Sequence, residues 1–294
     1  MHDRRVTGGE RLRAAIEGER PLQMVGAINA YQAMLAERAG FRALYLSGAG
    51  VANHSFGLPD LGMTSLGDVV ADATRITGAV ELPLLVDIDT GWGHALTIDR
   101  AVKELERAGA AGVQIEDQAG AKRCGHRPGK AVVETSEMLE RIRAATGARR
   151  DPSFVIVART DARAVEGLEA AVARAVAYAE AGADVIFAEA PESADELRAF
   201  VDAVRVPVLA NVTEFGVSPL FTLDELREAG VGIALYPLSA ARAAARAAEE
   251  VYRAIRTDGG QASVLHTMQT RDELYEVLDY LRFERMVDAV REDA

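Results

Sequence analysis

LPLLVDIDTGWGHALTIDRAVKELERAGAAGVQIE, residues 82–116, decides the fold. It opens on Leu82-Pro83 and an aliphatic run, with proline where a strand can begin. A glycine-flanked turn (Gly91, Gly93) follows, then a charged segment of helical period. That segment stops at Ala108-Gly109, and a second aliphatic run begins. Strand, helix, glycine stop and strand make one βα unit and the start of the next.

Outward from this unit the pattern repeats in both directions. Strands are expected at 22–28, 43–47, 84–89, 112–116, 154–160, 185–189, 208–211 and 233–236, each followed by a helical segment. Ala39-Gly40, Ala181-Gly182 and Ala229-Gly230 repeat the helix stop, and Val206-Pro207 repeats the proline entry. Eight such units predict an α/β (β/α)8 TIM barrel, with a doubly wound open sheet as the alternative. Ser47, Asp87, Asp89, Glu116, Arg159, Asp161, Glu189, Asn211 and Tyr236 all fall at or just past a strand's C-terminal end. In a barrel those ends converge on the face that carries chemistry.

The chain reads as one barrel domain over 1–294, with 257–294 as a helical extension for oligomerisation. Leu274, Leu278 and Leu281 share a helical face there, which one barrel does not need and a second subunit can cover. Hydrophobic residues make up 49% of the 294, enough for a substantial core. A formal net charge of -12 argues against nucleic acid or anionic membrane as a partner. Residues 1–10 carry no apolar signal region, no apolar run is long enough to span a membrane, and the single cysteine suits a reducing compartment. The expectation is a cytoplasmic protein.

Residues 116–133 set Asp117, Lys122, Arg123, Cys124, His126, Arg127 and Lys130 between two apolar runs, with Gly120, Gly125, Pro128 and Gly129 excluding a helix. A loop this long in a compact domain is usually functional. A thiol among cations would have its thiolate stabilised. The other reading is an anion-binding surface loop with an incidental cysteine. In Leu85-Val86-Asp87-Ile88-Asp89 the period of two sends both aspartates to one side. With Glu116 on the next strand they form a hard-oxygen set suited to Mg²⁺, the alternative being acids that cap helices or pair with arginines.

Ser47-Gly48-Ala49-Gly50 lacks the third glycine of a dinucleotide fingerprint, since Asn53 stands there. It reads as backbone N–H groups that can cup a carboxylate, or as a plain tight turn. Arg159, Arg242 and Arg271 are candidate carboxylate clamps, with Arg159 favoured by its strand-end position. His54, His94 and His126 show no zinc spacing. Trp92 reads as a packing residue at the mouth.

Lys122-Arg123-Cys124-Gly125-His126 resembles the signature loop of the isocitrate lyase and phosphoenolpyruvate mutase superfamily. Residues 47–50, 57–62, 86–89, 114–118, 158–162, 211–216, 235–239 and 268–275 extend the resemblance over nearly the whole chain, and the length suits its short methylisocitrate-cleaving members. The resemblance implies a (β/α)8 barrel whose last helix is exchanged within a homotetramer. It implies Mg²⁺-dependent retro-aldol cleavage of a small tricarboxylate, (2S,3R)-2-methylisocitrate, to pyruvate and succinate, with Mn²⁺ as a possible substitute ion. By similarity Asp87, Asp89 and Glu116 serve the metal. Ser47, Gly48, Ala49, Cys124, Gly125, His126, Arg159, Glu189, Asn211, Val212, Thr213, Arg242 and Arg271 bind substrate.

Cleavage of the C2–C3 bond needs an acid for the succinate carbanion, and Cys124 fits that role. Tyr45 is the expected base, with a pKa lowered by Arg159. Phe187, Leu235 and Pro237 are expected around the extra methyl group. Lyases for isocitrate or 2,3-dimethylmalate are the nearest rivals, followed by a phosphonate mutase, a Schiff-base aldolase on Lys122 and a non-catalytic barrel.

Overall fold

The computed structural model describes residues 6–120 and 122–292. Eight parallel strands close on themselves in sequence order: β1 Leu22–Gly26, β2 Leu44–Leu46, β3 Leu84–Asp87, β4 Gly112–Glu116, β5 Val155–Thr160, β6 Val185–Ala188, β7 Val208–Asn211 and β8 Ile233–Tyr236. The closing pair sets Leu22 opposite Ile233 and Val25 opposite Tyr236. Closure removes the open-sheet alternative, because β1 has partners on both sides.

Strands buried on both faces need near-continuous apolar sequence, which the quoted unit supplies. One cluster fills the barrel interior with Leu22, Met24, Tyr45, Leu85, Val157, Phe187, Leu209, Ile233 and Leu235. Leu12, Ala15 and Ile16 of helix Gly8–Gly18 belong to the same cluster. A second cluster lies between strands and outer helices and includes Val86, Ile98, Val102, Leu105 and Val113. Helix Ala95–Arg107 buries Ile98, Ala101, Val102 and Leu105 along one stripe, and Ile98, Val102 and Leu105 join this outer cluster.

The four Ala-Gly stops behave as expected. Ala39, Ala108, Ala181 and Ala229 are helix C-caps, and Gly40, Gly109, Gly182 and Gly230 follow at φ +88, +84, +108 and +80. A side chain there would strain the turn into the next strand. Helix entries are fixed by capping boxes at Thr7–Glu10, Ser65–Asp68 and Thr222–Glu225.

The chain divides into two compact units between Ala241 and Arg242. Within the second unit a further capping box, Thr270–Glu273, starts helix Arg271–Leu278, and helix Tyr280–Glu292 follows after Asp279 at φ +50. Tyr275 and Tyr280 stack with ring centroids 4.3 Å apart. Leu278, Leu281, Phe283, Met286, Val287 and Val290 are exposed. Among the described residues no helix is long and apolar enough to cross a membrane.

Candidate active site

Asp87, Asp89 and Glu116 are brought together at the mouth, each buried, with one carboxylate oxygen apiece within 4.8 Å of the others. The route is not the expected strand alternation. β3 ends at Asp87, and Asp89 sits beyond it in the left-handed region at φ +49. A turn, closed by Gly91 N donating to Ile88 O at 2.8 Å, swings Asp89 back beside Asp87. Asp89 N donates to Asp87 Oδ1 at 3.0 Å, and Gly48 N donates to Asp87 Oδ2 at 3.1 Å. A Cβ on Gly48 would lie 2.9 Å from Asp89 Oδ1 and 3.2 Å from Asp87 Oδ2, so only glycine lets the backbone approach the triad.

This corrects the reading of 47–50. Rather than an open cup of N–H groups, Gly48–Gly50 starts a short helical stretch; Ser47 caps it by accepting from Gly50 N at 3.3 Å, and Gly48 N is taken by Asp87. The stretch ends by Phe56, so no long Rossmann-type helix follows.

Arg159 lies across the mouth from β5. Its Nε donates to Asp161 Oδ2 at 2.9 Å, Nη2 donates to Asp161 Oδ1 at 3.2 Å, and Glu116 Oε2 and Glu189 Oε1 lie 3.4 and 3.6 Å away. Its guanidinium also sits 5.3 Å from the centroid of the Phe187 ring. Asp161, flanked by Arg159 and Lys130, is held below the usual carboxylate range. Burial pushes Glu116 up, and burial followed by the Asp87 charge pushes Asp89 up to about 6.

Tyr45 differs from expectation. Burial and then the charge of Asp87 raise its pKa, outweighing the opposing pull of Arg159, and its hydroxyl donates to Gln114 Oε1 at 2.6 Å. The expected lowering of its pKa by Arg159 is therefore not found. Phe187 and Leu235 share the barrel-interior cluster with Tyr45.

The cysteine loop is folded inward over the mouth. Its root is a narrow antiparallel bridge, Gln118 to Val132, flanked by Ala119 N donating to Ala131 O and Val133 N to Asp117 O, both at 2.8 Å. Buried Arg141 donates to Glu116 O at 2.9 Å and Gln118 O at 3.0 Å. The Gln118 side chain brackets Arg123, accepting from its N and donating to its O at 2.8 Å each.

Further out, Lys122 pairs with Asp60 and lies 2.7 Å from Asp89 Oδ1. A Cβ on Gly125 would collide with the Glu189 carboxylate. His126 accepts from Val217 N at its Nδ1 (3.0 Å), which leaves Nε2 facing Glu189 Oε1 at 3.3 Å. Asn211 Nδ2 lies 3.4 Å from Glu189 Oε2. Cys124 itself is exposed. The loop's cations do not gather on the thiol as expected, because Lys122 and Lys130 pair with carboxylates and Arg123 donates to Pro128 O.

The structure thus brings together Asp87, Asp89, Glu116, Gly48, Arg159, Glu189, Gly125, His126 and Asn211. Val212 and Thr213 are buried just past β7, and Ala49 is half-buried beside Gly48. Arg242 and Arg271 belong to the second unit. The sequence reading left Asp60, Gln114, Lys130 and Asp161 out of the site. Asp60 lies in the matched segment 57–62, and Asp161 was already visible as a strand-end acid.

A divalent cation fits this donor set. Among the described residues, the ion pairs of the group Asp60, Asp87, Asp89, Glu116, Asp161 and Glu189 are with Lys122, Lys130 and Arg159 as full cations, an excess of acid that burial makes costly. Glu116 Oε1 is buried without a hydrogen-bond partner, a position a metal or its water would satisfy.

The phosphoenolpyruvate phosphomutase family matches residues 12–256. The 2-methylisocitrate lyase of Escherichia coli (strain K12) is 59% identical over 281 residues, 95% of each chain. A crystal structure of 2,3-dimethylmalate lyase superposes with a TM-score of 0.89 at 35% identity, covering 98% of this chain and 96% of that one. Phosphonopyruvate hydrolase, solved with oxalate and Mg²⁺, superposes with a TM-score of 0.84 at 35% identity, covering 96% and 98%. A family match over most of the barrel and a curated relative aligned almost end to end lead to one conclusion: the chain belongs to the phosphoenolpyruvate mutase/isocitrate lyase superfamily.

Proposed function

We propose that the chain is a carbon–carbon lyase that cleaves (2S,3R)-2-methylisocitrate to pyruvate and succinate. One observation carries the reading: a cysteine-bearing loop is laid over a buried Asp87–Asp89–Glu116 triad and the Arg159 guanidinium. Identity of 59% to a 2-methylisocitrate lyase, over 95% of both chains, supports the substrate.

In this reading Asp87 and Asp89 hold Mg²⁺, with Mn²⁺ able to replace it, and Glu116 assists through water. Bound there, the ion supplies Lewis-acid stabilisation of negative charge on oxygen. Arg159, His126 and Asn211 bind the substrate's carboxylates, with Ser47, Gly48, Ala49, Gly125, Glu189, Val212 and Thr213 lining the same space. Arg242 and Arg271, which the resemblance also assigned to substrate binding, remain candidates within the second unit. The C2 hydroxyl proton passes to a basic group of the site and C2 becomes the ketone carbon of pyruvate; the electron pair of the broken C2–C3 bond goes to the succinate carbon, where the Cys124 thiol delivers its proton. Closure of the loop over bound substrate would limit the water that competes as proton source. We place the enzyme in the cytoplasm as a homotetramer, with 257–294 as the oligomerisation extension and the last barrel helix exchanged between subunits.

The substrate is tested by supplying Mg²⁺ and comparing pyruvate release from 2-methylisocitrate with glyoxylate release from isocitrate. Pyruvate at far higher kcat/KM is the expected result, although the single extra methyl is worth only about 1–3 kcal/mol. Preference for isocitrate or for 2,3-dimethylmalate would reassign the substrate within the superfamily.

A further inference from the structure

We propose that Lys130 is a positioning residue, a latch that fixes the cysteine loop to Asp161 and so couples the place of Cys124 to the orientation of Arg159. The inference rests on the lyase reading above for its kinetic arm.

Lys130 has a side chain only 3% exposed, far from the solvated state usual for lysine. Its Nζ donates to Asp161 Oδ1 at 2.8 Å and also to the carbonyl of Gly125, the residue after Cys124. From a place close to the loop's root, its long stem therefore reaches back and holds the loop's reactive segment. Asp161 is a rigid anchor. Its N–H donates to Asp117 Oδ1 at 2.8 Å, and Asp117 Oδ2 accepts from Thr160 Oγ1 at 2.7 Å and from Tyr178 OH at 2.9 Å. The same Asp161 carboxylate takes both bonds from Arg159.

One buried carboxylate thus serves a loop cation and a barrel cation together. Of the loop's other ties, Lys122 to Asp60 and Asp89 and His126 to Val217 end on residues that do not hold Arg159, while His126 also faces Glu189, which lies 3.6 Å from Arg159 without a hydrogen bond. Removing the Lys130 ammonium leaves Asp161 both of its bonds from Arg159, so that carboxylate keeps a cationic partner.

The test uses the full chain with Lys130→Met and Lys130→Arg. Hydrogen exchange over 122–130 should rise about tenfold in Lys130→Met, while exchange in β4 and β5 stays as in the wild type. The kcat for 2-methylisocitrate should fall about ten- to a hundredfold, with KM changed less than about threefold. Lys130→Arg, which keeps a cation able to bond both acceptors, should recover part of both losses. Unchanged loop exchange in Lys130→Met overturns the latch, as does faster exchange throughout the barrel or faster loop exchange with unchanged kcat. If the wild-type protein cleaves none of the acids, the lyase reading fails, and the exchange data still decide whether the latch exists.

Discussion

The interior of the barrel and the loop above its mouth are both held in place, but by opposite means. The interior is filled by Leu22, Met24, Leu85, Val157, Leu209 and Ile233, whose packing is non-directional and tolerant of detail. The loop is held by Lys122 on Asp60 and Asp89, Lys130 on Asp161, Arg141 on two carbonyls and His126 on Val217. Each of those ties needs a particular partner in a particular direction, and a broken one leaves a polar group to be hydrated. Apolar packing therefore supplies the stability of the scaffold, while directional charge places the chemistry.

The sharpest way to separate the two regions is Cys124→Ala. Because the thiol is exposed, unfolding free energy should move by less than about 0.5 kcal/mol. The kcat should fall about 10²–10⁴-fold, as measured by pyruvate release beside a thermal melt. A variant that cleaves at the normal rate would remove Cys124 from the chemistry.

Phe187→Ala reverses the emphasis. Phe187 is fully buried in the interior cluster and also lies under the Arg159 guanidinium. Urea titration should show a loss of about 3–5 kcal/mol, with a further loss of turnover because Arg159 has lost the ring beneath it. A drop in turnover alone would mean that the floor does not carry stability as described.

Metal binding should depend on pH in a direction set by Asp89. Its folded pKa is raised to about 6, so folding strengthens its hold on a proton. In the metal-free protein that contribution is present at low pH and is lost as pH rises through 6. A metal needs the ionised carboxylate, so its affinity moves the opposite way and falls by up to about tenfold per unit below pH 6. The increase in melting temperature caused by Mg²⁺ should grow between pH 5 and pH 7. An increment that shrank over this range would place the metal elsewhere.

At the smallest end, Arg100→Ala breaks an exposed i,i+4 pair with Glu104 on an outer helix. It should cost about 0.3–0.5 kcal/mol in a chemical denaturation curve and leave turnover unchanged. A larger cost would mean that directional charge also stabilises the scaffold.

The same contrast explains what could be read in advance. The eight strands and four Ala-Gly stops were legible, because burial on both faces and a left-handed helix stop each leave a local signature. Asp87, Asp89 and Glu116 were legible as acids at strand ends, but the means of their convergence was not. A left-handed aspartate after β3 leaves no periodic signal, so alternation was a sound argument for a geometry that a turn provides. The pKa of Tyr45 is raised where a lowering was expected, because it depends on the balance among burial, Asp87 and Arg159, distances that no local pattern encodes. Asp60 and Asp161 matter through Lys122 and Lys130, partners about sixty and thirty positions away, and charge pairing at such separations is invisible to periodicity. The loop's cations were read as surrounding the thiol; the fold turns Lys122 and Lys130 to carboxylates instead.

The central claim is that the acidic triad and the cysteine loop together form a metal-dependent lyase centre on an apolar scaffold. Its most direct test is the time course of pyruvate release from 2-methylisocitrate by the full chain, before EDTA, after EDTA, and after Mg²⁺ is restored in excess. The account predicts rapid release, its abolition by the chelator and full recovery with the ion. Release that continues unchanged in EDTA, or no release with Mg²⁺ present, would contradict it.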